Sequence, residues 1–316
     1  MKNSEGKFFV KFRGVRGSFP TPTKNNLEYG GNTSCVEINV NNHLIILDAG
    51  TGIISLGDDL LLDHISSSEN SFERTPISAT LLLSHIHQDH IQGFPFFKPA
   101  HITSTNLNVF GYSDFDEGLD EILSDLLFSK SFPLDLGDIA ANLSITNISG
   151  NDEVIILSPD FPHPTIKKVS TKEDFIPKGE EVIISCYKSY AHPQNGVMSY
   201  KISYKDKSIV YSTDREGYIG GDKKLARFAR NCNLLIHDAQ YTQEDYSSTI
   251  SPKQGFGHST FDMALDVQKQ SHAKMLAFFH LEPSYSDEKI TAIENEYKSK
   301  EPNCFVAQEG LEIEII

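Results

Sequence analysis

Positive charge is scarce in this chain. Its 316 residues carry 28 Lys and Arg against 43 Asp and Glu, a formal net charge of −15. A field of that sign repels nucleic acid, because tight binding of phosphate chains needs clustered Lys and Arg that displace counterions. Long nucleic acid is therefore disfavoured as a partner, although a local basic patch stays compatible with the total. A small anionic substrate held by metals fits better. Cysteine is also thin. Cys35, Cys186, Cys232 and Cys304 are scattered with no CxxC pair, which argues against a disulfide framework or a thiolate zinc site. The four are expected to be buried, inert thiols. No apolar run approaches the roughly 18 residues of a membrane span, and the N-terminal "MKNSEGKFFVKFRG" has no apolar signal core. A cytoplasmic protein without membrane association is expected. With 39% apolar and 22% charged residues the chain reads as folded, not disordered. No repeat or linker divides it, and one domain over 1–316 is the simplest reading.

What is present is a series of short apolar runs. "KFFVKF" (7–12), "CVEINV" (35–40), "HLIILD" (43–48), "ATLLLS" (79–84), "EVIISCY" (181–187), "SYKISY" (199–204), "SIVYST" (208–213), "NLLIHD" (233–238) and "MLAFFH" (275–280) read as strands. Asn41 and Asn42 suit a tight hairpin turn between two of them. Helices are expected at 116–128, behind a Ser113-to-Asp116 start signal, and at 260–270 and 286–298 after Ser or Thr. Residues 65–76 read as a polar loop, and 245–257 as a loop or a mobile lid. Strand-rich halves that each end in helix suggest two sheets packed together with helices outside, an α/β class.

The chemistry is concentrated in "SHIHQDH" (84–90), directly after the run "TLLL". At the end of a strand, His85 and His87 are two apart and point the same way, so both can reach one metal. Asp89 and His90 follow at a turn and can reach a neighbouring ion. The spacing suggests two metals side by side, and imidazole with carboxylate suits zinc, manganese or iron. One segment cannot fill two coordination shells. Other His and Asp residues end buried runs or precede helices: His192, Asp214, His237, Asp238, His258 and His280. His43, His64, His101, His163 and His272 fit this pattern poorly and are assigned to structure or solvent.

With these residues in view, the chain resembles the metallo-β-lactamase superfamily over nearly its whole length. The HxHxDH core is the specific signature. "GVRGSFPTP" (14–22), "YGGNTSC" (29–35), "ILDAGTGI" (46–53), "LLIHDAQYT" (234–242) and "GHST" (257–260) resemble its ribonuclease Z-like phosphodiesterase branch, and within it small cyclic nucleotide phosphodiesterases. The resemblance implies a four-layer αββα sandwich with the site at one edge. It implies that His85, His87 and His192 bind one ion, that Asp89, His90 and His280 bind the other, and that Asp214 bridges them. His258 matches a catalytic histidine near the scissile phosphate. Asp48 would support a ligand imidazole, and Asp238 would play a similar part. Gly30 and Gly31 of "YGGNTSC", with Asn32, would allow close approach of backbone to substrate. Phe94, Phe96 and Phe97 could stack on a base, although such a cluster is more often core. The implied cofactors are two divalent ions, zinc first, with manganese or iron as alternatives. The implied partners are a small anionic nucleotide and, as in many relatives, a second copy of the chain in a homodimer.

The expected reaction is hydrolysis of a 3′,5′-cyclic nucleotide by a metal-bridging hydroxide that Asp89 orients, with His258 serving the leaving oxygen. The alternatives are a ribonuclease Z-like RNA endonuclease, a hydrolase of the same fold acting on a non-phosphate ester or thioester, iron-based redox chemistry, and a non-enzymatic binding protein. Two departures from the branch lie near the substrate: Gln88 between His87 and Asp89, and an extra residue in "HPQNGVMSY". The chain also has no Gly- and Lys-rich arm of the kind ribonuclease Z uses to hold transfer RNA.

Overall fold

Alternation builds the first sheet. In Phe8–Gly14 (β1) every second side chain is buried, starting with Phe8, Val10 and Phe12, as a strand with one face on a core requires. The computed structural model describes residues 6–113, 117–128, 132–148, 150, 152–159, 163–169 and 179–315. After β1 come Cys35–Val40 (β2), His43–Leu47 (β3), Ser78–Leu82 (β4), Asn106–Gly111 (β5) and Asn142–Asn147 (β6). The second sheet takes Glu153–Leu157 (β7), Thr165–Lys168 (β8), Val182–Ser189 (β9), Val197–Tyr204 (β10), Lys207–Ser212 (β11), Leu234–Asp238 (β12), Met275–Phe279 (β13) and Cys304–Val306 (β14). Glu312–Glu314 (β15) returns to pair with β1, so the sheets run β15-β1-β2-β3-β4-β5-β6 and β14-β13-β12-β11-β10-β9-β7-β8.

One core takes side chains from both sheets, including Val10, Phe12, Val36 and Ile38 from the first and Ile184, Tyr200, Ile202 and Tyr211 from the second. Helices cover the outer faces. Gly52–Ser66 (α1) packs on β1 and β2, and Leu119–Leu127 (α3) on β6. A single turn, Gln88–Ile91 (α2), follows β4. On the other side lie Lys223–Phe228 (α4), Gln243–Tyr246 (α5), Phe261–Ser271 (α6) and Asp287–Lys300 (α7), with α6 on β12 and β13 and α7 on β14. These are the four layers, αββα, expected from the sequence. All five residues of β12 are buried because both of its faces are covered.

Each expected strand is present within two residues of its expected ends. Asn41 and Asn42 have φ of 46° and 64°, the left-handed pair that a two-residue hairpin turn needs. Helices α6 and α7 start behind Thr260 and Ser286, whose side chains accept backbone N–H groups of Met263 and Lys289. The third expected helix needs correction. Asp116 lies outside the described residues, and α3 begins after Gly118, with the Glu121 carboxylate accepting the Gly118 N–H. Helices α1, α2, α4 and α5 and strands β5, β6, β7, β8, β14 and β15 were not expected.

The topology explains the placement of the site. Strands β3, β4, β5 and β6 are parallel, as are β11, β12, β13 and β14. Parallel neighbours bring their C-terminal ends to one edge of a sheet. Strand β9 is antiparallel to β10, and β10 to β11, so β9 also ends at the edge where β11 ends.

Candidate metal centre and active site

Asp48 follows β3, Ser84 to His90 follow β4, His192 follows β9, Asp214 follows β11, and His280 follows β13 directly. Asp48, Asp214 and His280 have φ of 60°, 47° and 61°. Non-glycine residues held in this region are strained locally, and the surrounding structure must enforce the conformation. The strand ends turn sharply here, and the side chains converge.

Two donor sets result. His85, His87, His192 and Asp214 each present a ligand atom, all within 4.8 Å of one another, and so do Asp89, His90, Asp214 and His280. Asp214 faces both. Its Oδ1 lies 3.0 Å from His90 Nε2 and 3.1 Å from His280 Nε2. Its Oδ2 lies 3.6 Å from His85 Nε2 and 3.7 Å from His192 Nε2. Asp89 Oδ2 is 3.1 Å from His280 Nε2 and 3.2 Å from His90 Nε2. The grouping is the one the family resemblance implies.

Hydrogen bonds behind the imidazoles decide which nitrogen faces the centre. His90 donates from Nδ1 to Asp48 Oδ2 at 2.8 Å, and His192 donates from Nδ1 to the Gly257 carbonyl at 2.9 Å. In its neutral form each therefore turns an Nε2 lone pair inward. There His192 Nε2 meets His87 Nδ1 at 2.9 Å, and His90 Nε2 meets His280 Nε2 at 3.2 Å. The buried Nε2 of His85 has no hydrogen-bond partner. Converging lone pairs and an unpartnered buried nitrogen are what a cation would resolve. The donors fit two divalent ions.

No protein-family model matches the chain. Ribonuclease Z of Picrophilus torridus is 22% identical to it over 328 aligned residues, covering 98% of this chain and 96% of that protein. Among solved structures, the metallo-β-lactamase fold protein YhfI from Bacillus subtilis matches with a TM-score of 0.64 at 16% identity, over 98% of this chain and 99% of that one. Human tRNase Z, short form, matches at 0.59 and 16%, again over 98% and 99%. This chain has the metallo-β-lactamase fold, and its sequence is similar over nearly its whole length to ribonuclease Z proteins.

Electrostatics at this edge follow from burial and pairing. Burial lowers His85 well below the ordinary imidazole range, His90 adds to this, and Asp214 opposes it. Burial also lowers His87 and His192. His90 goes the other way: burial opposes its charge, but Asp214, Asp89 and Asp48 hold it well above that range. Burial disfavours the charged forms of Asp89 and Asp214 too. His90 and His280 nonetheless keep both well below the usual carboxylate range, so both stay acceptors.

His258 sits beside this edge, with Nδ1 4.0 Å from Asp214 Oδ2. A third group, Asp214, Asp238, His258 and His280, also lies within 4.8 Å, but His258 Nδ1 is engaged by Asp238 Oδ2 at 2.8 Å. Asp238 thus holds His258, where the sequence suggested a part like that of Asp48. Its Oδ1 accepts the Ser259 N–H at 2.8 Å. Burial lowers His258, but the Asp238 charge prevails and pushes it up to about 9.

Several expectations shift. The close approach at Gly30 and Gly31 is to the chain itself: a Cβ on Gly30 would strike Glu309, and one on Gly31 the Thr21 carbonyl. Asn32 donates to Glu309 from its backbone at 2.5 Å and its amide at 2.9 Å. Phe94 and Phe97 are core, and only Phe96 is exposed. His237 stays apart, with Nδ1 2.7 Å from the Asp238 carbonyl. The segment at 245–257 is fastened: Glu216 accepts from Tyr246 Oη and the Gly255 N–H, both at 2.7 Å, and from the Gly257 N–H at 3.1 Å. The four cysteines are buried.

Sequence reasoning missed supporting residues. Asp48 accepts from the Ser84 N–H at 2.6 Å, Ser84 Oγ at 2.8 Å and Tyr211 Oη at 2.7 Å. The Ser18 N–H donates to Asp89 Oδ2 at 2.7 Å. A Cβ on Gly17 would strike the His280 ring. The only signals were the position of Ser84 just before His85 and the glycine before Ser18.

Proposed function

We propose that the chain is a two-metal phosphodiesterase acting on small nucleotides, with 3′,5′-cyclic nucleotides as its substrates. The observation that carries the reaction class is Asp214, whose two oxygens face two separate imidazole sets. His85, His87 and His192 would hold one ion, Asp89, His90 and His280 the other, and Asp214 would touch both. When bound, such ions neutralise charge on a phosphodiester and bring the pKa of a water toward neutrality.

The chain's own groups supply the rest. Asp89 is fixed by the Ser18 N–H and, kept deprotonated, can accept a hydrogen bond from the attacking water. His258 is held at Nδ1 by Asp238, which leaves Nε2 as its free end. With its pKa raised by the Asp238 charge, the imidazole can hold a proton at Nε2 and pass it to the departing sugar oxygen. Asp238 then stabilises the orientation for the next cycle.

A net charge of −15 supports a small substrate over a long polyanion. A second reading has its own support: the curated relatives are named ribonuclease Z, which favours RNA cleavage at the same centre. Protein loaded with zinc or manganese, assayed on cyclic nucleotides and on a precursor transfer RNA, separates the two. Turnover of a cyclic nucleotide is expected, with little cleavage of the RNA; the reverse result would replace the first reading by the second. Asp214→Ala is expected to reduce turnover to background and to lower bound metal, read by elemental analysis.

A further inference from the structure

The His192 edge of the site continues into an open pocket. Its walls are Tyr190, Pro193 and Gln194 from the turn after β9, Glu216 and Tyr218 from the segment after Asp214, and Gly255. The two walls are joined, because the Glu216 N–H donates to the Ala191 carbonyl at 2.9 Å. His192 belongs to both this pocket and the first donor set. The pocket and the first donor set thus adjoin through His192.

The lining is selective. Tyr190 and Tyr218 are 72% and 61% exposed, while Tyr200, Tyr204 and Tyr211 are buried in the core. Exposed rings beside a reactive centre offer stacking faces to a planar π system. The Lys188 ammonium lies between two rings, 3.2 Å from the Tyr112 centroid and 4.4 Å from that of Tyr190. The turn carrying Gln194 has a set shape: Gln194 has φ 70° and Gly196 φ 74°, and a Cβ on Gly196 would strike the Ser189 carbonyl. An amide both donates and accepts, as the edge of a base requires. Glu216 is already engaged by Tyr246, Gly255 and Gly257, so it shapes the wall and is not free to read a ligand.

We propose that this pocket holds the base of a nucleotide whose phosphate sits at the metal centre, stacked on Tyr190 and Tyr218 and contacted by Gln194. The inference rests on the phosphodiesterase reading and extends it to a specificity-determining surface.

Binding tests it without turnover. Calorimetry on the zinc-loaded chain would compare adenosine 5′-monophosphate with inorganic phosphate. The nucleotide is expected to bind at least about tenfold more tightly, the range of one base stacked on aromatic rings. The pair Tyr190→Ala and Tyr218→Ala is expected to bring the two ligands near parity with phosphate affinity unchanged, and Tyr190→Phe to keep the difference. Equal affinities in the native chain, or a difference that survives both alanines, would overturn the pocket. Tighter binding of a single-stranded RNA with the same tyrosine dependence would overturn its assignment to a small nucleotide. A nucleotide-selective pocket in a chain inert on cyclic nucleotides would remove that substrate and leave the pocket standing.

Discussion

Asp48 and Asp238 act on the site from behind. Each is fully buried, each follows or ends a parallel strand, and each holds one imidazole by its Nδ1. Their effects should differ. Asp48 orients His90, a ligand in the proposed centre, so Asp48→Asn is expected to weaken metal binding by about 10–100-fold, the usual effect of losing such a partner. Metal-buffer titration would measure it, and unchanged affinity would remove Asp48 from that part. His258 is engaged by Asp238 and assigned to proton transfer. His258→Gln is expected to lower kcat by roughly 10²–10⁴-fold with metal content unchanged by elemental analysis. Loss of an ion in that variant would make His258 a ligand instead. The histidines and aspartates themselves were legible because few residue types bind metals or move protons. Tyr211 was not, since a tyrosine in an apolar strand reads as core, and only the fold reveals that its hydroxyl reaches Asp48.

At the scale of elements, legibility followed local signals. Thr260 and Ser286 announce α6 and α7 because caps are written next to the helices they start. Helix α1 was hidden. Its buried stripe of Gly52, Ile53, Leu56, Gly57, Leu60 and His64 has a helical period, but it includes two glycines, which weaken a helix signal. Gly57 is there for packing, since a Cβ would meet the Phe97 ring at 3.0 Å. Strand β8 is exposed throughout and carries no apolar pattern to read. Helix α4 depends on a charge pair that sequence spacing does not reveal. Asp222 caps it, accepting the N–H groups of Lys224 and Leu225, and pairs with the buried Arg215. Burial raises the Asp222 pKa, but Arg215 overrides this and lowers it below the usual value. A depressed carboxylate stabilises the fold above its unfolded pKa, and that contribution is lost as pH falls through its folded value. Asp222→Asn, which leaves Arg215 without its partner, is expected to lower stability by about 3 kcal/mol near neutral pH. Denaturant midpoints should show the gap between variant and native chain narrowing as pH falls below about 4. A gap independent of pH would show that the pair is not the cause.

On the scale of the whole molecule, two sheets converge so that distant strand ends share one edge. The motif at 84–90 supplies two ligands to each proposed ion, and the remainder come from His192, Asp214 and His280, more than a hundred residues on. No local pattern assembles them. The parallel order of β11, β12 and β13 does, beside β3 and β4. Family resemblance made the donor sets legible before the fold was in hand. Substrate was less legible, since the relatives' names point to RNA while the chain's charge points to something smaller. Both substrates require the same two-ion centre, so stoichiometry is the central claim. Metal-free protein titrated with zinc or manganese, with phosphodiester hydrolysis followed at each step, tests it most directly. Activity is expected to rise and reach a plateau at about two ions per chain. A plateau at one ion, or a fully loaded chain inert on every phosphodiester, would contradict the account.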